Sequence, residues 1–343
     1  MTPAGALLAE EICRDGPVPF SRFMEVALYH PEHGYYRRER DPFGAGGDFF
    51  TAEQIQPVFG ILMAARLRQL YREMGEPPDF TVVELGAGRG EMAGAFGEWR
   101  YVPVDIDGGE IPETIRGVVF CNEFFDALPV DVAVYQGGLF LEQRVGFADG
   151  RFRWQTGAAS DEELAAYFRQ YWAPPEEGRW YEASSNVPSW LERISAALDD
   201  GYLFTIDYGF TRPESIRFPA GTLMGYRRHT AHDDVLTDPG ERDITAHVNF
   251  TALQEAGAAR GLRTERFETL AQTLLAAGEA DQFAAAIGSG GPAEELRRRM
   301  QLKTLLFGMG ETFRVLLQRR ERQEENGGRS LNNEKGPEKP GPR

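Results

Sequence analysis

Cysteine is almost missing: Cys13 and Cys121 are the two in 343 residues. They stand far apart and neither belongs to a CxxC pair, which excludes a disulfide framework and a cysteine-rich zinc site. Histidine is scarce too, five in all. His30 and His33 form one H-x-x-H pair and His229 and His232 another, but no acidic metal motif accompanies either, so no metal is expected. No stretch approaches the ~20 apolar residues that a membrane span needs. Glu10-Glu11, one residue after Leu7-Leu8, departs from the basic start and long apolar centre of a secretory signal. A soluble, cytoplasmic protein with no membrane role is the expectation. Positive charge is also short, 37 Lys and Arg against 53 Asp and Glu, a net −16. Such a field repels a phosphate backbone, so no nucleic-acid partner is expected. The charge either serves solubility or favours a cationic partner.

What is present is apolar material in periodic runs. Hydrophobic residues make up 42% and aromatics 12%, enough for a sizeable core. Phe20, Phe23, Met24, Ala27 and Leu28 have helical spacing, as do Ile55, Phe59, Leu62, Met63, Leu67 and Leu70, a stripe that stops at Gly75 and Pro77-Pro78. The pattern then turns β-like. Phe80-Thr81-Val82-Val83, Tyr101-Val102-Pro103-Val104, Val118-Val119-Phe120-Cys121 and Tyr202 to Ile206 read as buried strands, with a small helix from about Arg89 to Gly97. Leu139 to Val145 and Arg151 to Gln155 predict a hairpin turning at Asp149-Gly150, and helices are expected at 160–172 and 187–199. The C-terminal third reads as mainly helical, with a late strand over Thr312 to Leu316. Strands alternating with helices predict a parallel α/β sheet.

In open α/β sheets the ligand lies beyond the carboxyl ends of the strands. Glu84 to Gly90, Asp105, Asn122-Glu123 and Asp207 each end an apolar run there. Gly86, Gly88 and Gly90 leave a strand and enter a helix, as a loop that must let a ligand approach the backbone requires. A dinucleotide fingerprint needs glycine at the sixth position, where Glu91 stands. The pattern E-x-G-x-G-x-G instead suits S-adenosylmethionine (SAM), whose amino-acid end is zwitterionic. Asp105, 19 residues after Gly86, is placed to accept from ribose hydroxyls. Asn122-Glu123, with Phe124, Phe125 and Asp126, fits the methionine end, the adenine or the substrate; at least one of the two phenylalanines is expected simply to pack. Asp126 reads equally as a cap, and His247 equally as a substrate contact or a core hydrogen bonder.

With these blocks in hand, the chain resembles the MidA-type SAM-dependent methyltransferases, a family that includes a mitochondrial complex I assembly factor methylating an arginine. The resemblance rests on Tyr29 to Tyr36 (YHPEHGYY), Gly47-Asp48-Phe49-Phe50-Thr51, Glu84 to Gly90, Asn122 to Pro129 (NEFFDALP), Asp207-Tyr208-Gly209, Gly221-Thr222-Leu223 and Asp238 to Val248, in family order over about residues 17–318. It implies an α/β fold: a Rossmann-like class I methyltransferase core with an N-terminal helical lid and inserted substrate-side elaborations. The expected organisation is 1–78 as N-terminal helices and cofactor-covering loop, 79–320 as the core with insertions around 136–200 and 211–249, and 321–343 as a disordered tail. SAM is the implied cofactor, with Gly47, Asp48, Thr51, Glu84, Gly86, Ala87, Gly88, Asp105, Asn122 and Glu123 around it. Glu123, Asp126 and Asp207 are the expected catalytic residues, Tyr208 and His247 the substrate contacts. The implied substrate is a protein arginine, with a small-molecule nucleophile as the alternative. Oligomeric state stays open between monomer and homodimer.

The chain departs from the family pattern in three places. Ala52-Glu53-Gln54 follows Thr51 where S-P-E is usual, so the expected carboxylate at 54 is an amide. Ala87 replaces a usual proline. Only 12 residues separate Asp105 from Val118, too few for the family's third strand and its helix, which are expected to be missing along with part of the adenine wall. These departures leave open a protein of the same fold that binds SAM weakly and serves as an assembly or binding partner. A nicotinamide oxidoreductase is the weaker rival, because of Glu91 and the lack of a hydride-transfer dyad.

Overall fold

The computed structural model describes residues 1–37, 52–106, 108–227, 230–288 and 290–322. Its centre is a seven-stranded sheet. Thr81–Leu85 is buried along its whole length. It lies between Arg100–Val104 and Ile115–Asn122, parallel to both. Leu198–Phe210 continues the parallel order beyond Ile115–Asn122. Phe313–Arg320 then runs antiparallel to it and carries Arg263–Thr269 at the far edge. Val248–Asn249 adds a short parallel pairing at the end of Leu198–Phe210.

The strands read as continuous apolar runs because both faces are covered. Val82, Val118, Phe120 and Phe204 turn to one face, under helices Val58–Glu73 and Leu270–Glu279. Val83, Val119, Cys121 and Leu203 turn to the other, under Asn186–Ala197 and Phe250–Ala258. A Rossmann-like α/β/α core results, as the alternation of strands and helices predicts. Each fully buried aliphatic or aromatic side chain contributes roughly 1.5–3 kcal/mol, so this sandwich is what holds the strand tips rigid.

Arg100–Val104 is an edge strand. The chain passes from it over Thr81–Leu85 to Ile115–Asn122 through residues 105–114, with neither helix nor strand among the described residues of that segment. The expected loss of the third strand and its helix therefore holds. The small helix expected from Arg89 to Gly97 contracts to Ala93–Phe96, since Gly90, Gly94 and Gly97 remove helix propensity along it.

A second, antiparallel sheet is inserted between Ile115–Asn122 and Leu198–Phe210. It comprises Asp131–Gln136, the hairpin Leu139–Ala148/Arg151–Ala159 and Trp180–Ala183, joined by Val18–Pro19. The hairpin turns at Asp149 (φ 50°) and Gly150 (φ 73°), as the Asp-Gly pair requires. Helices Pro3–Asp15 and Phe20–Tyr29 pack against this sheet. Pro3–Asp15 is a helix that periodicity misses, though its signals were local: Thr2 Oγ1 accepts from the Gly5 N–H at 3.0 Å, and proline opens the first turn. A small sheet of Met224–Arg227, Thr230–His232 and Asp243–Thr245 stands in the 211–249 region.

Candidate functional site

The glycine loop leaves Thr81–Leu85 with Gly86, Gly88 and Gly90 all at positive φ, 74°, 51° and 73°. The Gly86 N–H donates to the Val104 carbonyl at 2.9 Å, tying the loop to the neighbouring strand. Asp105, just past that strand, completes the tie: its Oδ2 accepts from the Gly88 N–H at 2.7 Å and its Oδ1 from the Ile106 N–H at 2.6 Å. Phe124 lies under Gly86, where a Cβ would come 3.2 Å from its ring, and is braced edge-on by Trp190. Packing is thus its role here, as it is for buried Phe125.

Below the loop lies a floor of carboxylates. Glu84 is fully buried; Oε2 accepts from the Tyr101 hydroxyl, and the carboxyl group also faces Glu53. Asn122 ends its strand with Oδ1 buried and without a partner. Glu123 follows at φ 50°, and its Oε1 accepts from Asn122 Nδ2 and from the Ala52 N–H, both at 3.3 Å. Asp207, at the tip region of Leu198–Phe210, accepts from three backbone N–H groups: Phe125 at 3.0 Å, Asp126 at 3.3 Å and Tyr208 at 2.8 Å. It thereby holds the N-E-F-F-D turn in shape. The Asp126 carboxyl projects from that turn with a buried, unpartnered Oδ1.

Burial first, then the neighbouring carboxylates, push Glu123, Asp126 and Asp207 well above the usual carboxylate range. Burial likewise raises Glu84, to about 7. A set of buried acids that raise one another is a set short of positive charge. Tyrosines ring it. The Tyr29 hydroxyl donates to the Ala127 carbonyl at 2.7 Å and the Tyr36 hydroxyl to Asp243 Oδ1 at 2.8 Å.

A clamp sits on the substrate side. Glu182, on Trp180–Ala183, accepts from the Thr222 N–H at 2.6 Å, the Leu223 N–H at 3.3 Å and the Thr222 hydroxyl. Thr222 Oγ1 in turn accepts from the His247 N–H at 2.9 Å. The His247 ring stacks on Tyr208, centroids 6.3 Å apart, with Nδ1 buried and unpartnered. Burial, with Arg217 nearby, lowers its pKa to about 4, so the imidazole is neutral at pH 7.

Of the residues expected from sequence, Glu84, Gly86, Ala87, Gly88, Asp105, Asn122, Glu123, Asp126, Asp207 and Tyr208 meet at the carboxyl ends of four neighbouring strands. His247 joins them through Tyr208. Gly47, Asp48, Thr51, His229 and the expected tail from residue 323 lie outside the described residues. Glu53, Tyr101, Tyr36, Asp243 and Glu182 escaped the sequence reading. Tyr36 and Asp243 stood in blocks that were recognised. The others are isolated polar residues in apolar or irregular context, and only the fold brings them in.

The residues fit SAM. Its cations, sulfonium and ammonium, match the buried Glu84 carboxyl and the buried, unpartnered Asn122 Oδ1, and Gly90 faces open space, with nothing within 4 Å of a Cβ built there. Comparison with known proteins agrees. Residues 98–268 match a family model described as S-adenosyl-L-methionine-dependent methyltransferase. A Burkholderia thailandensis protein solved with S-adenosyl-homocysteine bound superposes with a TM-score of 0.84 at 32% identity, covering 94% of this chain and 92% of that one. The human protein arginine methyltransferase NDUFAF7 is 35% identical over 317 residues, 74% of this chain and 68% of that protein. Its Drosophila melanogaster homologue is 27% identical over 317 residues, 74% and 70%. Both of these relatives are mitochondrial proteins, which overturns the cytoplasmic expectation. A soluble composition is common to several compartments, so it could not decide between them. This chain belongs to the MidA-type family and is a SAM-dependent methyltransferase.

Proposed function

We propose that the methyl acceptor is an arginine side chain of a protein, held by the carboxylates of Glu123 and Asp126. The observation that carries this is the buried acidic floor: Glu123, Asp126 and Asp207, all pushed up by burial and by one another, beside an Asp126 Oδ1 without a partner. A guanidinium supplies the missing charge, and its planar fork of N–H groups matches two carboxylates. The names of the relatives from human and Drosophila support the same acceptor.

SAM, when bound, supplies a methyl group on a sulfonium whose leaving thioether needs no proton. Glu84, Gly86, Ala87, Gly88, Asp105 and Asn122 are the described residues assigned to holding it. The protein's task is alignment and exclusion of water. Glu123 and Asp126 hold the guanidinium and orient one of its nitrogens, and one of the two carboxylates would take the proton that this nitrogen loses on methylation. Asp207 acts by fixing the turn that carries both. Tyr208 and neutral His247 flank the acceptor.

The test is methyl transfer from labelled SAM into mitochondrial protein extract, read by mass spectrometry after digestion. Methylarginine that disappears with Asp126→Asn, while SAM still binds by calorimetry, is the expected result. Label found only on lysine, or only in small molecules, sinks the proposal.

A further inference from the structure

Glu53 lies on the short turn Ala52–Gln54, far in sequence from the glycine loop, yet it faces Glu84. Both are buried, at 6% and 0% exposure. The turn is held over the strand tips from two sides. From below, Glu123 Oε1 accepts from the Ala52 N–H at 3.3 Å. From outside, Gln301 of helix Pro292–Lys303 donates to the Gln56 carbonyl at 2.6 Å. One oxygen of Glu84 is taken by Tyr101, and its carboxyl group also lies within hydrogen-bonding reach of the Glu53 carboxyl.

Two buried carboxyl groups facing each other do not both ionise without a cation. Among the described residues, the groups that face them do not supply one. Glu91, paired to Arg89 at 3.0 Å, faces them from the glycine loop. Glu123 faces Glu53 from the end of Ile115–Asn122. Tyr101 and Asp105 face Glu84 from Arg100–Val104 and its end. Burial above all, and then the charge of Glu84, hold Glu53 well above the usual carboxylate range. The amide at Gln54 therefore does not strip this turn of its acid, because Glu53 places one at the loop.

We propose that Glu53 and Glu84 share a proton in the SAM-free enzyme and release it when the ammonium group of the cofactor's methionine end docks against them, so that cofactor binding is coupled to proton release. The inference rests on the assignment of the glycine loop to SAM. In this step a carboxylic O–H bond breaks, its proton goes to the buffer, and an ammonium–carboxylate pair replaces it; nothing is oxidised.

Calorimetric titration with SAM at pH 6–7, in buffers of different ionisation enthalpy, counts the protons. Up to one released per SAM is expected, with affinity rising by up to about tenfold over that unit of pH. The ligand's own ammonium stays charged in this range. S-methyl-5′-thioadenosine, which lacks the amino-acid end, should bind without releasing a proton. Glu53→Gln should lose the release and flatten the pH slope, and Glu53→Asp should keep both, thermal melts confirming that each variant is folded. SAM binding with no proton released, or release undiminished in Glu53→Gln, overturns the proposal and leaves the methyltransferase assignment standing. Failure of SAM to bind at all overturns both.

Discussion

Gly86→Val puts the glycine-loop assignment at risk more directly than any other change. Gly86 sits at φ 74°, and a Cβ there meets the Phe124 ring at 3.2 Å. An L-residue in this conformation costs roughly 1–2 kcal/mol, and a β-branched one more, since its stiff χ1 leaves little room to adapt. The two methyls of valine reach beyond that Cβ toward a ring fixed by Phe125 at 5.2 Å and Trp190 at 4.9 Å between centroids. Overpacking adds roughly 1–3 kcal/mol if the loop keeps its shape. The loop escapes both costs by letting go of the Val104 carbonyl and of Asp105, and what it then loses is the ligand cradle. About 2 kcal/mol of that loss appearing in binding is a ~30-fold weaker Kd for SAM. The melting temperature should fall by only about 10 °C or less, because the sheet below is untouched. Calorimetry with SAM and a thermal melt read the two effects separately. Gly137→Ala, on the turn between Asp131–Gln136 and Leu139–Ala148, is the control: φ is 58° but no atom lies within 4 Å of the new Cβ, so only the backbone strain of ~1 kcal/mol remains and SAM binding should not change. If Gly86→Val binds SAM as tightly as the natural chain, the loop does not hold the cofactor.

Asp207→Asn should lower stability by about 1–3 kcal/mol and slow methyl transfer while Kd for SAM changes little, because an amide cannot accept equally from the Phe125, Asp126 and Tyr208 N–H groups; full activity would show that the turn needs no such anchor. Gly221→Ala should cost about 1–3 kcal/mol by chemical denaturation, since φ is 81° and the new Cβ would stand 2.3 Å from Glu182 Oε1; an unchanged midpoint would contradict the tight Glu182 clamp. His247 has a folded pKa depressed from 6.5 to about 4, so its contribution to stability is complete above pH 6.5 and is lost as the pH falls to 4. His247→Phe should therefore lose less stability than the natural chain across that window, by at most about 3 kcal/mol; equal acid sensitivity of the two refutes a buried neutral imidazole.

The sheet was legible because its strands are buried on both faces and end at residues that break the apolar run: Glu84, Asp105, Asn122 and Asp207 mark the site by interrupting hydrophobic sequence. Arg263–Thr269 was not legible. It is an edge strand reading R-T-E-R-F-E-T, mostly exposed, and it exists because Phe313–Arg320 pairs with it. Trp180–Ala183 is a short strand whose partner, Asp131–Gln136, lies far along the chain. The same distance effect hid Glu53 and Glu182. Each is an ordinary acid in its own neighbourhood and acquires its role only from Glu84 or Thr222, brought to it by the fold.

The shortened crossover and the acidic floor bear on one another. With residues 105–114 forming neither strand nor helix among the described ones, Arg100–Val104 is an exposed edge, and Asp105 at its end already gives both carboxylate oxygens to backbone N–H groups. On the proposed placement of the cofactor, its ribose side therefore meets ordinary, solvent-screened hydrogen bonding. At the methionine end the acids are buried, and an ion pair formed in low dielectric is worth several times one in water. This asymmetry argues that the charged end of SAM supplies most of the discrimination between bound and free cofactor. It also argues that the product, which lacks the sulfonium charge, is held more weakly over the same acids, and so leaves a site whose chemistry is arranged around two cations.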